Sequence, residues 1–112
     1  MKDDRVYLNH ILDAITRIES YTSKRKEVFF RESIVQDAVI RNLEVIGEAV
    51  KNLSEDLRAR HPEIPWARIA GMRDVLIHEY FGVRLQTVWN AVENRLPELK
   101  QHIESLLGEA EK

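Results

Sequence analysis

Between Arg73 and Tyr80 the chain reads Arg-Asp-Val-Leu-Ile-His-Glu-Tyr, its densest run of side chains able to do chemistry. Arg73, Asp74, His78 and Tyr80 surround an apolar Val75-Leu76-Ile77 centre. On a helix, Asp74 and His78 are four residues apart and share a face. A carboxylate placed there can fix the tautomer of an imidazole and raise its pKa. Arg73 and Tyr80 are seven apart and share another stripe. Arg73 and His78 are five apart, about 140° around a helix axis, so they are not close neighbours. The long guanidinium can still reach a shared cleft from an adjacent face.

One reaction suits such a pair. RNA carries its own nucleophile, the 2′-hydroxyl, so a protein must supply mainly a proton shuttle and a cation for the charge growing on phosphorus. Histidine shuttles protons near neutral pH. Arginine offers a fixed fork of donors to a phosphate. No metal is needed. The plainer reading of these residues is a helix-surface ion pair, a solvated arginine and a tyrosine at the edge of the core. Spacing alone favours that plainer reading.

Other chemistries lack their parts. No glycine-rich loop cradles a phosphate, and no serine sits in a nucleophile elbow. With no cysteine there are no disulfides, thiolate metal ligands or cysteine nucleophile. The histidines are His10, His61, His78 and His102, and no two have the four-residue spacing of a helical metal pair. Neither a metal nor a cofactor is expected. The net charge is −2, from 17 basic and 19 acidic residues, so no global basic field attracts nucleic acid. The basic turn Lys24-Arg25-Lys26 reads as solvated surface, with a grip on RNA backbone or on an acidic partner as the alternative. The start, MKDDRVYLNH, is not a signal peptide, and no apolar run reaches the roughly 18 residues that span a membrane. A cytoplasmic location is expected, without membrane contact.

The elements that must hold these residues are helical. The 112 residues, 44% hydrophobic and 32% charged, suit one domain over residues 1–112. Leu8, Ile11, Leu12, Ile15 and Ile18 form an apolar stripe on a helix from about Asp4 to Tyr21. Val35, Val39, Leu43, Ile46, Val50 and Leu53 form another on a helix from about Ser33 to Leu53, with its start possible a turn earlier. Gly47 in its middle implies a close neighbour, because glycine there costs about 1 kcal/mol relative to alanine. On another face, Asp37, Arg41, Glu44 and Glu48 read as a solvated, internally paired stripe, or alternatively as a cleft wall. Pro65 is expected in the first turn of a third helix that runs to Tyr80, with Gly82 as its cap. Leu85, Val88, Val92, Leu96, Leu99, Ile103 and Leu106 keep helical phase through Pro97, which implies one kinked helix from Arg84. Trp66 and Trp89 read as core or interface anchors. The fold class is all-α, an antiparallel bundle.

At these residues the chain resembles a known family. Arg73-x4-His78-x-Tyr80 matches the R-x4-H-x-Y motif of the HepT toxins, members of the HEPN superfamily, and Asp74 fills the polar place after the arginine. Ile64-Pro65-Trp66, Ala70-Gly71-Met72, Phe81-Gly82-Val83 and Trp89 agree around the motif, as do Arg41-Asn42-Leu43-Glu44 and Gly47-Glu48-Ala49. Arg84 departs from the acidic residue expected there. The resemblance covers nearly the whole chain. It implies a four- to five-helix bundle that forms a homodimer, with two motifs meeting in one composite RNA-cleaving cleft. It implies a metal-independent endoribonuclease toxin whose partner is a minimal nucleotidyltransferase antitoxin (MntA-like). That partner transfers AMP to the motif tyrosine, here Tyr80.

Under this reading His78 is the general acid/base rather than a helix-end histidine satisfied by Asp74. Arg73 binds phosphate rather than forming an intersubunit ion pair. Asp74 either orients His78 or only pairs with it. Two other functions use the same residues: a non-catalytic dimeric module that holds a nucleotidyltransferase and binds nucleotide or its substrate, and a plain structural dimer.

Overall fold

The computed structural model describes residues 3–23, 26–71 and 85–110. Among them every regular element is helical. Helix α1 spans Asp4–Thr22, and its N-terminus is capped by the Asp3 carboxylate, which accepts the Arg5 backbone N–H at 3.0 Å. Its inward stripe is Leu8, Ile11, Ala14, Ile15 and Ile18, all fully buried. Leu12, expected in that stripe, sits half-buried at its margin. Helix α3 spans Ser33–Asn52 and is the main partner of α1, burying Val39, Leu43, Ile46 and Val50 with Gly47 among them. Burying a chain of this size by alternate stripes is what leaves charged residues on the outer faces.

A short helix, α2, spans Lys26–Arg31 and is separate from α3. The sequence reading allowed α3 to begin a turn earlier instead. Glu32 is extended, with φ −107° and ψ 112°, so the helix breaks there. The Gln36 side-chain amide donates to the Phe29 carbonyl at 2.9 Å and closes the elbow. This bond joins residues seven apart, which helical periodicity does not reveal.

Helix α4, Glu55–Arg60, was not foreseen. Its signal was readable: Ser54 as N-cap, then Glu55 and Asp56 in the first turn. The Ser54 hydroxyl oxygen accepts the Leu57 N–H at 3.1 Å. The same hydroxyl donates to Asp4 at 2.7 Å, and the Ser54 backbone N–H donates to the other Asp4 oxygen at 2.8 Å. One carboxylate thus ties the first turn of α1 to the cap of α4. Asp4→Ala leaves the Ser54 N–H without its acceptor and should cost about 1–3 kcal/mol. A denaturation midpoint unchanged from the parent would show that water replaces the carboxylate at no cost.

Helix α5 starts at residue 66 and is described through residue 71. Pro65 is its cap rather than part of its first turn, because the Pro65 carbonyl accepts the Ile69 N–H at 3.1 Å. The Trp66 indole N–H donates to the His61 carbonyl at 3.0 Å, so the ring is buried with its polar edge satisfied.

The last helix is continuous in three parts: α6, Leu85–Asn90; a π-turn, Ala91–Arg95; and α7, Leu96–Ala110. A kink at Pro97 was the expectation. The helix is single, as expected, and widens just before the proline, with the Leu96 N–H bonding five residues back to the Ala91 carbonyl. Proline removes an N–H and crowds the carbonyl four residues earlier, and a single wide turn relieves both effects. The apolar phase survives, so Leu96, Leu99, Ile103 and Leu106 are all buried. Lys100 on α7 reaches Glu19 on α1 at 3.0 Å, and that bond raises the lysine pKa above its ordinary value.

Candidate active site

Arg73, Asp74, His78 and Tyr80 all lie outside the described residues, as do Gly82 and Arg84. The structure describes the two elements that run into this stretch and out of it. Gly71 on α5 precedes Arg73 by two residues, and Leu85 at the start of α6 follows Tyr80 by five.

A cavity of about 670 Å³ lies between these flanks. Leu43 of α3, Ile69 of α5 and Leu96 and Leu99 of α7 give it an apolar lining. Arg68 on α5 and Arg95 on the π-turn also line it. Sequence reading missed both arginines. Neither belongs to a motif, and only the fold brings them to one cavity.

Behind the π-turn, Trp89 is buried against Phe29, with ring centroids 5.3 Å apart, and near Phe30 at 6.2 Å. Its indole N–H donates to Glu93 at 3.0 Å, a clasp across the widened turn. Trp66 and Trp89 are therefore core anchors, in line with the expectation.

The polar stripe on α3 is paired in part. Arg41 and Glu44 are 3.5 Å apart, and Glu48 is engaged as well. They border a smaller groove of about 210 Å³ between α1 and α3, together with Tyr7 and His10, whose rings meet edge-on at 5.9 Å. The Lys26 ammonium lies 5.7 Å over the Phe30 ring, while Lys24 and Arg25 fall outside the described residues.

His61 stands apart from this region. Its Nδ1 is 3.3 Å from Glu63 and its Nε2 is 3.6 Å from Glu109 at the far end of α7. Glu63 is held below the usual carboxylate range, first by its own backbone N–H and then by the hydrogen bond from His61. Among the described residues, no group of three or more potential ligands is arranged to hold a metal ion. Nor is any described helix long and apolar enough to cross a membrane.

Comparison with known proteins places the chain in a family. The ribonuclease HepT-like family model matches residues 11–106. A protein of Caldanaerobacter subterraneus subsp. tengcongensis named "Putative RNase" is 44% identical over 108 residues, covering 96% of each chain. The "Probable ribonuclease HepT" of Thermococcus cleftensis is 46% identical over 104 residues, 89% of this chain and 92% of that one. A Methanocaldococcus jannaschii protein named "Gamma-glutamylcyclotransferase and putative RNase" is 47% identical over 112 residues, 99% of this chain. This chain spans only 50% of that protein's length. No solved structure matches. The chain belongs to the ribonuclease HepT-like family, and the all-α bundle is the fold that its residues build.

Proposed function

We propose that the chain is a metal-independent endoribonuclease and the toxin of a cytoplasmic toxin–antitoxin pair. The observation that carries this reading is the Arg73, His78 and Tyr80 spacing inside a chain of the ribonuclease HepT-like family. Two copies pair so that their motifs share one cleft, which resolves the 140° or so between Arg73 and His78 on a single helix. One imidazole takes the proton of the 2′-hydroxyl as its oxygen attacks phosphorus. The bond to the 5′-oxygen breaks, and that oxygen leaves with a proton from the acid. Arg73 stabilises the charge on the phosphorane-like transition state. Asp74 holds the imidazole in its working orientation.

Tyr80 is the switch. A nucleotidyltransferase antitoxin transfers AMP from ATP to its hydroxyl, releasing pyrophosphate. The added phosphate brings negative charge and bulk to the place where RNA phosphate must sit.

The direct experiment incubates the purified chain with RNA in the presence of EDTA. Cleavage is expected, with 2′,3′-cyclic phosphate at the new ends, because the attacking oxygen belongs to the RNA. RNA that stays intact, or that is cut only after a divalent metal is restored, would count against the proposal. Co-expression with the antitoxin should add the mass of one AMP to the chain, and Tyr80→Phe should abolish that gain.

A further inference from the structure

Among the described residues, Arg68 and Arg95 have no charged partner. Both are exposed, and neither has a carboxylate within ion-pair distance among the described residues. Glu98 lines the same cavity three residues after Arg95. The arginines come from two different elements, α5 and the π-turn, and much of the lining they share is apolar. Asn90, on the Arg95 side, accepts from Gln86 through its side-chain oxygen at 2.9 Å, which keeps its amide NH2 as a free donor. The volume falls within the roughly 300–1,000 Å³ of small-ligand clefts.

Paired guanidinium groups bind phosphate through bidentate hydrogen bonds. An apolar surface with a few polar donors accepts an unstacked base, and single-stranded RNA is recognised through such bases. The location agrees. The cavity is built from the segments that lead into Arg73 and away from Tyr80. A second copy is a poorer occupant, since a symmetric contact centred here would set like-charged arginines against each other. We propose that this cavity is a nucleotide subsite for single-stranded RNA, where Arg68 and Arg95 hold backbone phosphate beside the cleaved bond and the apolar lining takes an unstacked base. The proposal rests on the ribonuclease reading.

The test uses the full chain carrying His78→Ala, so that RNA stays whole. Binding of a short fluorescein-labelled single-stranded RNA is followed by anisotropy over a range of KCl. Arg68→Gln and Arg95→Gln should each weaken binding about three- to tenfold. Each should also flatten the slope of log affinity against log salt by roughly 0.7. Arg→Lys at either place should restore most of the slope. With His78 intact, the double glutamine variant should raise KM more than it lowers kcat. If the double variant binds with the parent's affinity and salt slope while the parent still cleaves RNA, the subsite is overturned and the ribonuclease reading stands. A loss of binding accompanied by a change in oligomeric state on gel filtration would make the cavity an interface between copies and also overturn it. A parent that neither binds nor cuts RNA would overturn the ribonuclease reading itself.

Discussion

His78→Ala is expected to lower the rate of RNA cleavage by about 10²–10⁴-fold, the usual contribution of a positioned general acid or base. The imidazole has a task that no neighbour in the motif shares. Arg73 stays protonated at any working pH. A phenol is already protonated at neutrality and so offers no base. If two copies share one cleft, as proposed, they bring two imidazoles, one free to act as base and the other as acid. The rate should then be bell-shaped in pH, with one limb set by the base and the other by the acid. Arg73→Ala should cost about 10²–10³-fold without moving that profile, since it stabilises charge rather than carrying a proton. The two variants also test the shared cleft. Mixing Arg73→Ala chains with His78→Ala chains should recover part of the activity if an arginine of one copy works with a histidine of the other. Single-turnover cleavage measured across pH, with circular dichroism to check the fold, decides the matter. A His78→Ala chain that cleaves within a few-fold of the parent would remove this residue from the chemistry.

How much of this was legible in the sequence depends on the length over which each signal repeats. The stripes of α1, α3 and α7 run for several turns, and most of their apolar positions are buried, with Leu12 and Val35 half-buried at the margins. Short elements carry no such repetition. Helix α2 has six residues, and its boundary depends on Gln36 bonding back to the Phe29 carbonyl, a tertiary choice. Helix α4 also has six, yet Ser54 with two acidic residues behind it announced a start that periodicity could not. Pro97 showed where the last helix must depart from regularity but not how. Kink and π-turn both relieve a proline, and the π-turn keeps Leu96 and Leu99 inward as well. For the site, residue types made Arg73 and His78 candidates, and the family context gave them roles. Arg68 and Arg95 left no trace, because their meaning lies in a cavity shared by two segments distant in sequence.

Phe29→Ala should cost about 3–5 kcal/mol, the range for emptying a fully buried aromatic site. The phenyl ring is completely buried. It meets Phe30 edge-on at 5.1 Å and lies tilted against Trp89 at 5.3 Å. Helix α2 is too short to persist by its own hydrogen bonds and depends on this anchor. Against a total stability of some 5–15 kcal/mol for a small domain, the loss is a large share. Phe29→Leu keeps most of the volume and should cost under about 1.5 kcal/mol if the site can repack. The consequence extends past α2. Trp89 would lose the ring that covers it, and Trp89 is tied through Glu93 to the π-turn that carries Arg95. Urea unfolding should therefore show a lower midpoint with an unchanged slope. The chain has two tryptophans, so folded-state emission of the alanine variant in a Trp66→Phe background reports on Trp89 alone. That emission should shift to the red as water reaches the indole. A midpoint within about 1 kcal/mol of the parent, with emission unmoved, would mean that the bundle closes over the missing ring. Phe29 would then be one contact among many rather than the anchor that fixes α2 against the wall of the site.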